Sequence, residues 1–556
     1  MQKILEASIV YRAIAAAGSW FGAQWRKSGI IQNFLSPKWG SKGPENSIFS
    51  AVWLFIHRLL CGALEKLHLT KLLSGSILTM PFIWSFAALI LAPILPTMAV
   101  LALMLICVVS ILLTFACDRE RKLVYSPVNK YMLLFAFIYI IATFTSVTVS
   151  GSLLGGALTT LFFLFTLILQ NSVETKRQLS ALIFAFALSG AAVAAYGLLQ
   201  YVTGAAGASA WIDATMFSGI GVRVYSTLGN PNVLSEYLLL VIPFTGACIL
   251  TAKRAITKLF YTGCLGAMLL CMVLTFARGG WLGLIIAVAV FLVMLDRRFI
   301  IVGIIAIIVL YFALPDVILN RFQSIGNIGD SSTSYRLSIW LGTISMLKDF
   351  WFTGIGPGTA AFNKIYPLYS YNTAVAQHSH NLYLQIMCDS GICGIAVFLA
   401  VLFTYFRNLS CAVSREKDRT SKILQIASIS SVLGFLVQSA TDHSFYNYRV
   451  TLVFWAVLGI GALAARRGEL SGGGARDAEE GGARDAEEGG AGDAEEGGVF
   501  AAETGGGHAA ETDGERAAET DGGHAAETDG GRTAETGGGH AAETGGVHTA
   551  ETGGAD

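Results

Sequence analysis

Charge is scarce in this chain. Only 14% of its 556 residues are Asp, Glu, Lys or Arg, against roughly 25% in soluble globular proteins. Acids are scarcest before residue 468, where 16 face 34 bases, a net of +18. Residues 468–556 reverse the balance with 22 acids and 4 bases, a net of −18. The formal net charge of zero therefore joins two physically different parts. An ordinary soluble enzyme is excluded, because one soluble core cannot absorb a body this apolar. Any CxxC pair is also missing, so the sequence supports neither a zinc site nor a redox motif. The nine cysteines lie mostly in or beside apolar runs, where Cys acts as a small hydrophobe. Cys388 and Cys393 are close in sequence, but buried packing is the reading preferred over a disulfide.

Long apolar runs are what the body has instead. A bilayer-spanning helix needs about 20 mainly apolar residues, and twelve runs qualify. They lie at roughly 77–95, 97–117, 131–149, 153–170, 179–202, 233–251, 259–276, 280–295, 299–314, 389–406, 423–440 and 450–465. Basic residues follow alternate runs: Arg119, Arg121, Lys122 and Lys130; Lys176 and Arg177; Lys253, Arg254 and Lys258; Arg297 and Arg298; Arg407 to Lys422; Arg466 and Arg467. With twelve spans all of these share one side, which the positive-inside tendency makes cytoplasmic, together with both termini. The expected fold is an all-α polytopic membrane protein with about twelve transmembrane helices.

Residues 1–76 form a basic N-terminal segment with nine Lys and Arg and no secretory signal. Trp20, Phe21, Trp25, Phe34, Trp39, Phe49 and Trp53 interleave those bases. An amphipathic segment on anionic headgroups and a poorly ordered leader are equal readings. The membrane domain follows at 77–467. Its long outer loops are 203–232 and, between spans nine and ten, 315–388. Loops this long are usually functional or disordered. The second is rich in aromatics and carries an amphipathic stretch from Ser334 to Lys348. Leu337, Ile339, Trp340, Ile344 and Leu347 supply its apolar side. It should fold against the membrane surface.

Few basic residues face outward, so each is conspicuous: Arg223, Arg278, Arg321, Arg336, Lys348, Lys364 and Arg449. Charge near the hydrocarbon is costly and often marks a substrate path. Arg321 reads as a solvated or headgroup-facing charge. Arg278 reads as functional, with Gly279 and Gly280 leaving room for a bulky anion, since a guanidinium binds two phosphate oxygens at once. Outside the N-terminal segment and the tail only His378, His380 and His443 occur. A neutral His can accept a hydroxyl proton near pH 7; it can also simply cap a helix. No ligand set with metal spacing accompanies the pair, so no metal is expected. Gly354, Gly356 and Gly358 in TGIGPG lack the Lys-Ser/Thr of a phosphate loop, and read as a tight turn bringing backbone near the membrane. Tyr366, Tyr369, Tyr371 and Tyr383 read as sugar-stacking residues or as an interfacial belt.

Four passages, RVYSTLGNPNVL (223–234), FARGGWLG (276–283), SYRLSIW with GIGPGTAAF (334–362) and HNLYLQIMCDSGICG (380–394), make the body resemble the O-antigen ligase and O-antigen polymerase family over roughly residues 80–465. The last follows the family's ligase pattern of His, Asn/Ser/Gln, nine residues, Gly, two residues, Gly, here His380, Asn381, Gly391 and Gly394. His378 does not fit that spacing. The resemblance implies an enzyme, a metal-independent inverting glycosyltransferase without cofactor. It would move a glycan from a polyprenyl (undecaprenyl) diphosphate carrier to an acceptor hydroxyl outside the bacterial cytoplasmic membrane. It assigns His380 as the base and Arg278 and Arg336, with Arg223 as a third candidate, as diphosphate ligands. The family arginine after span seven usually follows Ser, and here Ala277 precedes Arg278. The implied partners are the bilayer, the lipid-linked donor and a glycan, lipid or protein acceptor, with no nucleic acid. A polymerase of lipid-linked repeat units and a transporter of lipid-linked glycans are the alternatives.

The tail, 468–556, repeats with a period of eight through ARDAEEGG and GHAAETDG variants. Lacking a regular large apolar position, it cannot offset its ordering entropy by burial and is expected to be disordered.

Overall fold

A computed structural model describes residues 48–205, 222–301, 316–324 and 331–470, with single positions at 16, 19, 20, 23, 303, 305 and 312. The acidic repeats, most of the basic leader and most of the expected ninth span at 299–314 lie outside the described residues. Among the described residues every regular element is a helix. We number them α1 Ile48–Lys66, α2 Pro81–Leu91, α3 Thr97–Cys117, α4 Pro127–Phe144, α5 Val149–Ser172, α6 Lys176–Thr203, α7 Pro231–Thr251, α8 Ala255–Leu274, α9 Arg278–Leu295, α10 Asp316–Gln323, α11 Ser331–Phe350, α12 Thr359–Ile365, α13 Leu382–Arg415, α14 Arg419–Ser439 and α15 Tyr448–Ala465.

Ten of these are long and apolar enough to cross a bilayer: α3 to α9 and α13 to α15. The first expected span is shorter than its apolar run. Helix α2 covers 11 residues, about 17 Å at the α-helical rise, and Pro93 and Pro96 stop it before α3 begins. Helix α1 rises from the basic leader and packs on α3. Its His57 Nε2 lies 2.8 Å from the Phe115 carbonyl, and Trp53 meets the Phe115 ring edge-on at 5.0 Å.

Helices α7, α14 and α15 are the inner ones, each 78% buried over its apolar window, whereas α8 and α9 are 28% buried. Apolar sequence alone does not set this difference. Small and hydroxyl residues do, because they let backbones approach where no aqueous hydrophobic force acts between helices. Gly283 of α9 and Gly434 of α14 face one another. A Cβ on Gly283 would lie 2.5 Å from the Gly434 carbonyl oxygen. Ser431 of α14 donates to the Leu240 carbonyl of α7 at 2.7 Å, and Thr166 of α5 to the Trp455 carbonyl of α15 at 2.6 Å. Phe163 stacks on Phe135 at 4.7 Å and meets Trp455 at 4.6 Å, locking α4, α5 and α15.

Helix α13 is not continuous. Gly391 has φ +66° and ψ −166° and breaks it near its start. The backbone between α11 and α12 runs through the gap. Ile355 N–H donates to the Cys388 carbonyl at 2.6 Å, and Ile392 N–H to the Trp351 carbonyl at 2.8 Å. A Cβ on Gly391 would sit 1.9 Å from the Phe352 carbonyl oxygen, and one on Gly354 2.6 Å from that of Cys388. Only glycine fits either side of this crossing. Gly356 and Gly358 also take positive φ in the same passage, and Gly394 packs against the Ser390 side chain.

The segment 331–376 builds a small core of its own from Ile339, Met346, Leu347, Ile355, Phe362 and Tyr366 against Cys388 of α13. The buried face of α11 is Ile339, Gly342, Thr343, Met346 and Leu347. Leu337 and Ile344, expected on that face, are 38% and 47% exposed. The i, i+3, i+7 stripe is rotated by one position because α11 packs on its own loop and α13 rather than on a flat membrane surface. The nine cysteines are free, Cys388 buried and Cys393 exposed.

Candidate active site

At one end of the bundle the α8–α9 connection, the approach to α13 and the α14–α15 turn converge with the end of α10 and the start of α11. Their helices start or finish there, while Lys176, Lys253, Arg297 and Arg466 lie at the other ends of α6, α7, α9 and α15.

His380 stands immediately before α13 with φ +48°, a left-handed backbone rare for a side chain of its size. Its surroundings hold it there. Its N–H donates to His378 Nδ1 at 3.2 Å, and its carbonyl accepts from Trp340 Nε1 at 3.3 Å. Asn381 is the N-cap of α13, accepting from Tyr383 and Leu384 N–H and donating to the Ala440 carbonyl at 2.8 Å. Thus Asn381, not a histidine, caps the helix. Tyr335 of α11 meets the His380 ring edge-on at 6.0 Å.

The partner of His380 is Asp442, 62 residues on, in the α14–α15 turn. Nδ1 of His380 lies 3.2 Å from Asp442 Oδ1, with side chains 24% and 15% exposed. The backbone seals the pair, since Leu382 N–H donates to the Asp442 carbonyl at 3.1 Å. Burial pushes the Asp442 carboxyl up. The hydrogen bond from His380 and the charges of Arg336, His380 and His378 outweigh it and hold the group well below the usual carboxylate range. An ionised Asp442 fixes the proton of His380 on Nδ1 and leaves Nε2 as an acceptor. Asp442 Oδ2 accepts from Asn232 Nδ2 at 3.0 Å. Asn232 Oδ1 in turn accepts from Arg223 Nη2 at 3.1 Å. One hydrogen-bonded line therefore runs from His380 to Arg223.

The arginines cluster at the end of that line. Arg223 also donates to the Thr275 carbonyl at 2.8 Å. Burial, and then the fields of Arg321, Arg336 and Arg278, pull its pKa down to about 9, which leaves it protonated at neutral pH. Arg278 opens α9 and reaches the Ser324 carbonyl at 2.9 Å, with Ser332 and Thr333 of α11 as further acceptors. Arg336 lies on α11. Its Nε is buried with no hydrogen-bond partner among the described residues. Arg321, expected in solvent, is 8% exposed. Its short helix is folded down beside the other guanidiniums, which is why a charge in a long loop is not a free one here.

The space beside Arg278 also differs from expectation. A Cβ on Gly279 would meet Thr441 Oγ1 at 2.6 Å, and one on Gly280 the Ser235 side chain at 2.6 Å. These glycines bring α9 against α7 and α14, so close packing rather than an anion occupies that volume. Of the other cations expected on the outer side, Lys364 Nζ donates to the Val147 carbonyl at 2.8 Å. Arg449 latches the carbonyls of Thr227 at 3.0 Å and Leu228 at 3.2 Å. Of the tyrosines singled out from sequence, Tyr366 is stacked on Phe362 in the small core, and Tyr383 donates to the Leu436 carbonyl. The aromatics near the histidines are Tyr335 and Tyr446.

His378, His380 and Asp442 place one ligand atom each within 4.8 Å of one another. The set could take a divalent ion, but Arg336 and Arg223 act on the same carboxylate and oppose a further cation. His378 is pushed down to about 4 by burial and then by His380, so it is neutral at pH 7.

Asp442 and Asn232 were not singled out from the sequence, and Arg321 was read there only as a solvated or headgroup-facing charge. A signal existed for the first: the body is poor in acids, and TDHS puts one between two apolar spans beside a rare histidine.

Residues 263–399 match the family model described as O-Antigen ligase. The matched stretch contains Arg278, Arg336 and His380, and the Asp442, Asn232 and Arg223 that complete the cluster lie outside it. No curated protein matches the chain.

Proposed function

We propose that this chain, an O-antigen ligase family protein by its residues 263–399, transfers a glycan from a polyprenyl diphosphate carrier to an acceptor hydroxyl on the outer face of the cell membrane. The matched stretch supports glycan transfer in polysaccharide assembly, and the ten long apolar helices support a multi-pass membrane protein; the donor, the side and the mechanism are our reading. The observation that carries it is the continuous line from the His380–Asp442 pair through Asn232 to the arginine cluster.

The chemistry follows from that line. Nε2 of His380 takes the proton of the acceptor hydroxyl as its oxygen attacks the anomeric carbon. The bond from that carbon to the phosphate oxygen breaks, and polyprenyl diphosphate departs with the electron pair. Attack opposite the leaving group inverts the anomeric centre. Arg336, Arg278 and Arg223 hold the phosphates and neutralise the growing charge. Fixed cations aimed at developing charge are typically worth about 3 kcal/mol each. Asp442 supports the imidazolium that forms on His380. The basic residues at the far ends of α6, α7, α9 and α15 support an outward-facing site, by the preference of such residues for the cytoplasmic side.

A transporter would use a broken helix to offer backbone groups to its cargo. Here the protein's own 351–355 backbone occupies the break in α13, which favours an enzyme. The test is turnover of a lipid-diphosphate-linked glycan by the purified protein. His380→Ala should lower it by roughly 10²–10⁴-fold, and unchanged turnover would remove the assigned base. Deleting the protein separates the two family activities: loss of polysaccharide attachment at normal chain length indicates a ligase, and loss of chain length a polymerase.

A further inference from the structure

The ten long apolar helices contain two acids between them, Glu236 of α7 and Asp389 of α13. An ionisable group inside a span is costly and points to a function. Asp389 is supported by two donors, Tyr139 at 3.2 Å and Gln385 Nε2 at 2.9 Å. Glu236 has less support. It is 1% exposed. Its Oε1 lies 3.0 Å from Ser444 Oγ, and its Oε2 is buried with no hydrogen-bond partner among the described residues. Arg223, Arg278 and Arg449, the cations at this end of the neighbouring elements, reach the carbonyls of Thr275, Ser324 and Thr227 instead. The charge whose field acts on Glu236 is that of Asp442, which is of the same sign as an ionised Glu236. His443, beside Asp442, is kept neutral by burial.

Counting protons along its contacts gives its state. Ser444 Oγ lies 2.8 Å from Ser439 Oγ, and Ser439 Oγ lies 2.8 Å from the Phe435 carbonyl oxygen. Three contacts in a row therefore join the Glu236 carboxyl to the backbone of α14. The two hydroxyls supply one proton each. With Glu236 ionised, two protons serve three contacts and one stays empty. A third proton, on the carboxyl, fills all three in one direction: Glu236 to Ser444, Ser444 to Ser439, and Ser439 to the Phe435 carbonyl. The protonated acid also removes the cost of a buried charge without a counter-ion. Its second oxygen is then an uncharged acceptor, which tolerates burial without a donor better than half of a carboxylate does.

We propose that Glu236 is a protonated acid at neutral pH and that, as a donor, it clamps the α14–α15 turn that presents Asp442 to His380. Ser439 ends α14 and Ser444 begins the short helix after the turn, so the clamp holds both sides of Asp442. Asn232 lies one turn earlier on α7 and donates to Asp442 Oδ2 at 3.0 Å. Helix α7 thus grips the same turn twice, once at Asp442 itself and once at its flanks. Glu236 touches no reacting atom. It is a positioning residue that acts through Asp442, and its effect on turnover rests on the glycan-transfer reading above, whereas its protonation does not. Ionisation would remove the donor and add a second anion near Asp442.

The test uses the full chain in nanodiscs. The infrared difference spectrum between wild type and Glu236→Gln at neutral pH should contain the carbonyl band of a protonated carboxylic acid, contributed by the wild type. A carboxylate band in its place overturns the proposal. In turnover of a lipid-diphosphate-linked glycan, Glu236→Ala and Ser444→Ala should each lower kcat by about tenfold or more, the effect of a buried hydrogen bond left open, with KM for the donor unchanged. Glu236→Gln keeps an N–H donor toward Ser444 and should restore most of that loss. Turnover lost in Glu236→Gln as fully as in Ser444→Ala overturns the proposal, as does a Glu236→Ala chain as active as the wild type. Should Glu236→Ala fail to fold, the infrared band and the Gln variant decide. A wild-type chain that shows the protonated band but no turnover strikes instead at the glycan-transfer reading.

Discussion

Arginine does different work at the two ends of this bundle. At the end that carries Lys176 and Arg466, arginines meet carboxylates, some of them close to the surface. Arg119 pairs with Glu65 with side chains 66% and 49% exposed, and Arg466 with Glu469 at 32% and 65%. Such pairs contribute about 0–1 kcal/mol. Their value is positional, since the positive-inside tendency counts charges and no single one matters. At the opposite end Arg223, Arg278, Arg321 and Arg336 are drawn together, and Arg223 loses part of its basicity to its neighbours. Like charges held close are unfavourable without an anion between them. One end is a statistical label, and the other is stored electrostatic repulsion that, under the proposed function, the donor's diphosphate would relieve.

Substitutions can break that contrast. The largest effect belongs to His380→Ala, with transfer reduced by roughly 10²–10⁴-fold, while Arg119→Ala at the far end leaves turnover unchanged. Asp442→Asn comes next. The amide can offer N–H to Nδ1 and shift the proton to Nε2, and loss of that tautomer in a comparable pair costs about 10⁴-fold. A loss of at least 10²-fold, with donor affinity kept, separates an orienting role from a binding one. Arg336→Ala should cost roughly 10²–10³-fold in turnover and also weaken undecaprenyl diphosphate binding. Equal effects of Arg336→Ala and Arg119→Ala would erase the distinction between the ends.

The smallest effect concerns pH and stability. His378 has its folded pKa lowered to about 4, below the ordinary histidine value of about 6.5. Between those values the unfolded chain binds the proton and the folded chain does not, so stability rises with pH across that window. Acidification from pH 6.5 towards 4 should lower the melting temperature of the protein in nanodiscs. His378→Gln should reduce the slope of that part of the curve, leaving the share of His443, whose pKa burial also lowers, and the loss at lower pH that comes from protonating Asp442. A curve unchanged by His378→Gln would show that the His378 ring is solvated rather than buried.

The spans were legible because a bilayer demands long apolar runs, and the alternation of basic residues is a count that survives local error. His380, Arg278 and Arg336 were legible through short motifs. What escaped depends on contact between distant segments. Asp442 belongs to a short turn with no repeating pattern. Arg321 looked like any charge in a long loop, yet α10 buries it. Leu337 and Ile344 fit an apolar stripe, but α11 turns a neighbouring one inward because the crossing at Gly391 anchors the loop that follows it. Gly279 and Gly280 read as empty space, and only the positions of Thr441 and Ser235 show what fills it. Periodicity reveals that a face exists, while its partner is set by tertiary packing.

The crossing at Gly391 also imposes an order of assembly. Residues 351–355 leave the ribosome before Cys388 and Ile392, the residues that complete their hydrogen bonds. Until α13 is synthesised and in place, that passage has bare amides and carbonyls and the turn bearing His380 has no frame. The end proposed as catalytic therefore matures last within this half of the chain. A nascent protein halted before residue 392 would hold most of its spans and its arginines, yet would have nowhere to align an acceptor.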